Sequence, residues 1–123
     1  GGAYGNSKFV VASTYGYIFT SSDGTSWVNV TSKSASALKD VAYGNSQFAA
    51  VGDGGTAITS SDGTSWSTQT TGTTTNFKGI TSGNSTWVIV GSGGLIATQT
   101  AEEDVTERTS GTTNVLYRVI YKE

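Results

Sequence analysis

The chain has 123 residues, the length of one ordinary domain, of which 35% are hydrophobic and 13% charged, with a formal net charge of −2; that charged fraction is roughly half the usual ~25%. It contains no Cys and no His, which excludes disulfides, thiolate metal sites and the commonest general base. A pI near 4.9 with scattered Lys and Arg provides no basic face for neutralising phosphates, so nucleic acid is not an expected partner.

No apolar run approaches the ~18 residues of a membrane-spanning helix. No signal-peptide pattern opens the chain, and the start at GGAYG without Met is expected of a product that is processed or cut from something longer. With 17 Gly and no Pro, and with Thr, Val, Tyr, Phe and Trp spread throughout, the composition suits short strands joined by tight turns. The expected fold class is all-β.

In chain order, the first organised stretch is Ala3-Tyr4-Gly5-Asn6-Ser7-Lys8-Phe9, which returns as Ala42-Tyr43-Gly44-Asn45-Ser46-Gln47-Phe48 and as Thr81-Ser82-Gly83-Asn84-Ser85-Thr86-Trp87, a spacing of 39 residues. Its Gly-Asn-Ser core predicts a hairpin turn, because Gly and Asn tolerate the positive φ that such turns demand. The next stretch, Phe9-Val10-Val11-Ala12, Phe48-Ala49-Ala50-Val51 or Trp87-Val88-Ile89-Val90, is apolar on both faces and is expected to lie between neighbouring sheets. A Gly-rich turn in which Gly16, Gly55 and Gly94 share one phase leads to a third strand, Tyr17 to Thr20, Thr56 to Thr59 or Leu95 to Thr98.

The octapeptide TSSDGTSW then stands at 20–27 and again, unchanged, at 59–66. It reads as a stapled hairpin: the Asp accepts hydrogen bonds from turn amides, the Gly takes a φ that a side chain would forbid, and the Trp covers the sheet end. The fourth strand, Trp27 to Val30 or Trp66 to Gln69, is polar enough for an outer, water-facing edge. Leu38 to Tyr43 and Phe77 to Thr81 open the following units as first strands. Four short strands repeated at ~40 residues describe β-propeller-type blades. The chain is thus expected to be a single propeller-like domain, 1–123, with units at 3–41, 42–80 and 81–119.

The stretches Ser21 to Trp27 and Ser60 to Trp66 resemble the Asp-box, or bacterial neuraminidase repeat, in the variant where Gly directly follows Asp and one residue fewer precedes Trp. With the Tyr-Gly-Asn-Ser-x-Phe and Val-Gly-x-Gly-Gly stretches, the pattern is similar to repeats in bacteriophage virion and tail proteins and in photosystem assembly factor-like secreted proteins. The resemblance implies a structural role for Ser21, Asp23, Gly24 and Trp27 and for Ser60, Asp62, Gly63 and Trp66. It also implies a non-enzymatic structural and interaction module, in the virion or outside the cell, such as a capsid decoration or tail-appendage protein. Partners would be other virion or cell-surface proteins, and no cofactor is expected. The rival expectation is a secreted carbohydrate-binding domain, a lectin or adhesin, with glycans as ligands. Fold-level likeness does not choose between them.

The third unit departs from the pattern. Ala101, Glu102 and Val105 stand where Asp62, Gly63 and Trp66 would recur, so the box is lost. At the end of the chain, Leu116 and Val119 match Leu38 and Val41, which makes residues 114–123 the first strand of a fourth unit. This segment is expected to complete the first blade, whose own beginning at Gly2 is short. Because propellers have about 4 to 8 blades, three blades would close best as a homo-dimer, each tail filling the gap in its twin to make a six-bladed ring. A compact three-sheet monomer and a piece of a larger propeller are the alternatives.

Catalysis is not expected. A sialidase on this fold would need an arginine cluster, and the chain has only Arg108 and Arg118. Glu102, Glu103, Asp104 and Glu107 read as a solvated hairpin, and one carboxylate per turn at Asp23 or Asp62 falls short of the six to eight oxygens calcium takes. Tyr15, Tyr17, Tyr117 and Tyr121 are less regular than the other aromatics and are the candidate ligand or interface residues.

Overall fold

A computed structural model of the chain describes residues 1–32, 34–100 and 105–122 and contains three four-stranded antiparallel sheets. The first is a meander of β1 (Gly2–Gly5), β2 (Lys8–Ala12), β3 (Ile18–Ser21) and β4 (Val28–Val30). The second repeats it with β5 (Leu38–Gly44), β6 (Gln47–Gly52), β7 (Ala57–Ser60) and β8 (Ser67–Gln69). The third comprises β9 (Phe77–Gly83), β10 (Thr86–Gly91), β11 (Ile96–Thr100) and β12 (Thr106–Arg108). The sheets recur at the expected 39-residue spacing, but the expected unit boundaries at 41/42 and 80/81 fall within β5 and β9 rather than between sheets.

The hairpin turns fall where expected, but the positive φ is carried by Asn and Ser rather than by the Gly before them. Asn6-Ser7, Asn45-Ser46 and Asn84-Ser85 all have φ between 48° and 62°, the paired left-handed conformation that matches a two-residue hairpin to strand twist. The outer strands β4 and β8 are largely solvated, as their polar composition predicts. Between each outer strand and the next inner one, hydroxyls at alternate positions form a ladder. Thr71 Oγ1 donates to the Gly55 carbonyl at 2.7 Å and to that of Thr73 at 3.3 Å, and Thr73 Oγ1 accepts from the Thr75 amide at 3.1 Å. Ser32, Ser34 and Ser36 do the same for the first sheet, with Ser32 Oγ donating to the Gly16 carbonyl. Ser110, Thr112 and Asn114 continue the pattern after the third.

Two apolar cores lie between the three sheets. Val10, Ala12 and Ile18 of the first sheet meet Leu38, Val41, Phe48, Ala50, Ile58 and Trp66 of the second. One repeat later, Ala49, Val51 and Ala57 of the second sheet meet Phe77, Ile80, Trp87, Ile89 and Ala97 of the third. Burying one such Leu, Phe or Ile is worth ~1.5–3 kcal/mol, so these layers dominate the folding free energy. Hydrogen bonds from backbone amides tie the sheets too: the Leu38 amide donates to the Ser13 carbonyl at 3.1 Å, and the Ile80 amide donates to the Asp40 side-chain Oδ2 at 3.1 Å. Among the described residues, only the middle sheet is covered on both faces. Consequently β6 is buried along most of its length, whereas Phe9 and Val11 in the equivalent β2 face solvent.

The expected closing strand is corrected by this arrangement. Gly2–Gly5 itself pairs with β2, with Gly2 opposite Val11 and Gly5 opposite Lys8, so the first sheet has four strands without the tail. Residues 115–122 form no strand and lie instead beside β9. The Leu116 amide donates to the Gly91 carbonyl at 3.0 Å, two repeats after the Leu38–Ser13 bond. A short N-terminal strand that already occupies the edge of β2 leaves the tail no pairing partner within its own first sheet.

Gly54 and Gly55 test the ladder, since both are left-handed, with φ of 67° and 72°. A Cβ at Gly54 would meet open space, but one at Gly55 would sit 1.9 Å from the Thr73 carbonyl oxygen. Gly54→Ala is expected to cost only the left-handed backbone preference, ~1–2 kcal/mol, and Gly55→Ala ~2–5 kcal/mol. Urea unfolding of the two variants checks the order.

Candidate functional site

The repeated octapeptides form the most highly organised turns. Asp62 Oδ1 accepts from the Thr64 amide at 2.8 Å, the Ser65 amide at 2.9 Å and the Ser60 hydroxyl at 3.0 Å. Ser60 Oγ in turn accepts from the amides of Gly63 at 2.8 Å and Asp62 at 3.3 Å, and Trp66 Nε1 donates to the Gly63 carbonyl at 3.0 Å. Ser21, Asp23, Gly24 and Trp27 make the same set of bonds. Backbone amides of Ser65 and Thr64 are the leading cause that holds the Asp62 carboxyl at about 2, with the Lys8 ammonium adding a smaller pull. The Asp23 carboxyl is lowered by the amides of Ser26 and Thr25.

The two turns differ in what surrounds them. Lys8 Nζ donates to the Asp62 carbonyl at 2.9 Å, clamping the second turn onto the first sheet. Trp66 is 1% exposed in the first core, but its counterpart Trp27 is 43% exposed, because no sheet precedes the first one here. The expectation that the Trp covers a sheet end therefore describes Trp66 and describes Trp27 only partly.

At the next junction the indole is missing. Val105 occupies the position of Trp66, and a cleft of about 490 Å³ opens between the second and third sheets. Its floor is apolar, with Ala49, Val51, Ile80, Trp87, Ile89 and Val105, and its rim carries Asn45, Gln47, Thr59, Gln69, Gln99 and Thr100. Among the described residues that line it, none is ionisable. Gln69 Nε2 donates to Thr59 Oγ1 at 2.9 Å, which orients that carboxamide on the rim. Uncharged donors and acceptors over an apolar floor suit a neutral ligand rich in hydroxyls. These rim residues escaped the sequence reading, although the loss of the third box, visible at Val105, was the signal that the junction is underfilled.

The four tyrosines do not converge. Tyr15 and Tyr17 are exposed and border a shallow groove on the first sheet with Asn29, Thr31 and Ser34. Tyr117 and Tyr121 are exposed on the tail beside the third sheet, where a Cβ on Gly83 would fall 2.1 Å from the Tyr121 ring. Glu102, Glu103 and Asp104 lie outside the described residues. Among the described residues no three acidic side chains gather as metal ligands, and no helix is long and apolar enough to cross a membrane.

Two outcomes follow from the turns. Trp66→Ala is expected to cost ~3–5 kcal/mol in chemical unfolding, as for other buried aromatic truncations, and Trp27→Ala clearly less. The depressed Asp62 carboxyl contributes stability that is fully present above its unfolded value of 3.8 and is lost as pH falls through about 2. Thermal melts between those limits are expected to fall more steeply for the parent chain than for Asp62→Asn. No protein-family model matches the sequence, and no curated protein resembles it at a significant level.

Proposed function

We propose that the chain is a non-enzymatic structural and interaction module of Asp-box, propeller-type repeats, acting outside the cytoplasm as a bacteriophage virion component such as a capsid decoration or tail-appendage protein. The observation that supports this reading is the engagement of Asp23 and Asp62: Oδ1 of each carboxylate accepts from two amides of its own turn, which lowers its pKa. Carboxylates bonded in this way hold the shape of the turn. The virion assignment itself draws on the resemblance of the octapeptides and the Gly-Asn-Ser turns. A chain of this kind is expected to remain on purified particles at a fixed copy number after washing in high salt. Sub-stoichiometric, salt-labile recovery would overturn the assignment.

The second reading, a secreted carbohydrate-binding domain, is favoured by one specific feature, the uncharged, amide-rimmed cleft beside Val105 and Trp87. Val105→Trp restores the indole present at the preceding junction and is expected to fill the cleft without loss of folding. Glycan-array binding by the parent chain that disappears in Val105→Trp and in Gln69→Ala would establish this reading over the first.

A further inference from the structure

We propose that the cleft between the second and third sheets binds a neutral pyranose, whose ring takes the place that an indole fills at the preceding junction and whose hydroxyls are held by glutamine carboxamides. This rests on the carbohydrate-binding reading and names the ligand class.

The two junctions are built from equivalent positions, and the first shows how such a junction is closed. There Trp66 is buried in the core, Val30 packs against that core, Lys8 Nζ donates to the Asp62 carbonyl at 2.9 Å, and Ser60 Oγ accepts from the Gly63 amide at 2.8 Å. At a spacing of 39 residues, the same four positions are taken by Val105, Gln69, Gln47 and Gln99. Each side chain that closes the first junction is replaced at the second, and all four replacements line the cleft of about 490 Å³. The whole sequence contains three glutamines, and every one of them lies here. Side chains placed only to meet water have no reason to gather at one junction.

The lining has the parts that a sugar ring requires. A pyranose presents an apolar face of C–H groups and a rim of hydroxyls that both donate and accept, and a carboxamide offers one acceptor oxygen and two donor hydrogens. Gln69 is oriented by its bond to Thr59 Oγ1 at 2.9 Å, made through Nε2, which leaves Oε1 to accept. Among the described residues, the carboxamides of Gln47 and Gln99 have no hydrogen-bond partner. Trp87, Ile89 and Val105 form the floor on which the C–H face rests.

Trp87 adds a donor. The indole N–H groups of Trp27 and Trp66 are engaged by the carbonyls of Gly24 and Gly63, whereas that of Trp87 has no acceptor among the described residues, in a side chain only 6% exposed. A ligand hydroxyl can take this N–H without the breaking of a protein bond.

Charge discriminates against acidic sugars. Among the described residues lining the cleft there is no Lys or Arg to pair with a carboxylate, and placing one over the apolar floor carries an uncompensated desolvation cost. The volume lies within the ~300–1,000 Å³ typical of small-ligand sites.

The Trp87 indole N–H gives the readout. Methyl glucoside, galactoside and mannoside are titrated into the nitrogen-labelled 123-residue chain and followed by NMR. At least one of them is expected to move the Trp87 signal in a saturable way while the Trp66 signal stays in place. The uronic acid counterpart of that glycoside is expected to bind at least about tenfold more weakly. Gln47→Ala and Gln99→Ala are each expected to lower the affinity roughly 3- to 10-fold, as for the loss of a hydrogen bond, with the thermal midpoint of the chain unchanged. Val105→Trp is expected to abolish the response. No movement with any of the three glycosides, equal binding of the uronic acid, affinity unchanged in both glutamine variants, or a response to indole alone would each overturn the proposal. Glycan-array binding that survives both glutamine changes would sink this site and leave the carbohydrate-binding reading standing. Saturable binding here by a chain found at fixed copy number on particles would keep the site and sink the secreted reading.

Discussion

A small sheet with apolar residues on both faces is not stable in water by itself, and this constraint organises the molecule. The second sheet meets it through two neighbours, with Phe48, Ala50 and Ile58 turned toward the first sheet and Ala49, Val51 and Ala57 toward the third. The first and third sheets each have one neighbour within the chain. The exposure of Phe9 and Trp27 follows from that difference in position, since the residues themselves are repeated. Stability in such stacks is built from nearest-neighbour terms.

The interlayer contacts require every sheet to keep nearly the same shape, and this is the task of the local devices. The carboxylate and hydroxyl of each SSDG turn satisfy amides within the turn, independently of what surrounds it. The Ser and Thr ladders hold the carbonyls beside Gly16 and Gly55, and there the high hydroxyl content of the sequence finds its structural use. Because buried or half-buried backbone groups must be paired, these ladders replace strand pairing in segments that cross from one sheet to the next. The cleft beside Val105 shows what happens when one element is lost: the sheets remain stacked, and the space of the missing indole is left between them.

Much of this was legible in the residues. The spacing between the two octapeptides marks the period at which the sheets recur, and the alternation from apolar second strands to polar fourth strands marks which edges are wet. The role of Asp62 and Ser60 could be read from turn chemistry, because such bonds are local in sequence. What could not be read was the outcome of competition between segments. Gly2–Gly5 and Leu116 to Tyr121 both match the pattern of an inner strand, and pattern alone favoured the longer one for the edge of β2; within one chain the nearer segment takes it, since closing a two-residue hairpin costs far less entropy than returning from the far end. The unequal burial of Trp27 and Trp66 escaped for a related reason, as identical octapeptides do not reveal which has a neighbouring sheet. The rim of Gln69 and Gln99 was hidden because outer-strand amides usually face water.

The two interlayer cores have a bearing on the conditions under which the molecule holds its form. Their side chains are almost wholly hydrocarbon and aromatic, so raising ionic strength removes little attraction from them. Sulfate or phosphate, by being excluded from such surfaces, tightens them, whereas cold weakens them because apolar hydration becomes less unfavourable at low temperature. A scaffold joined in this way keeps its form over a wide range of salt, and its apolar layers lose strength on cooling.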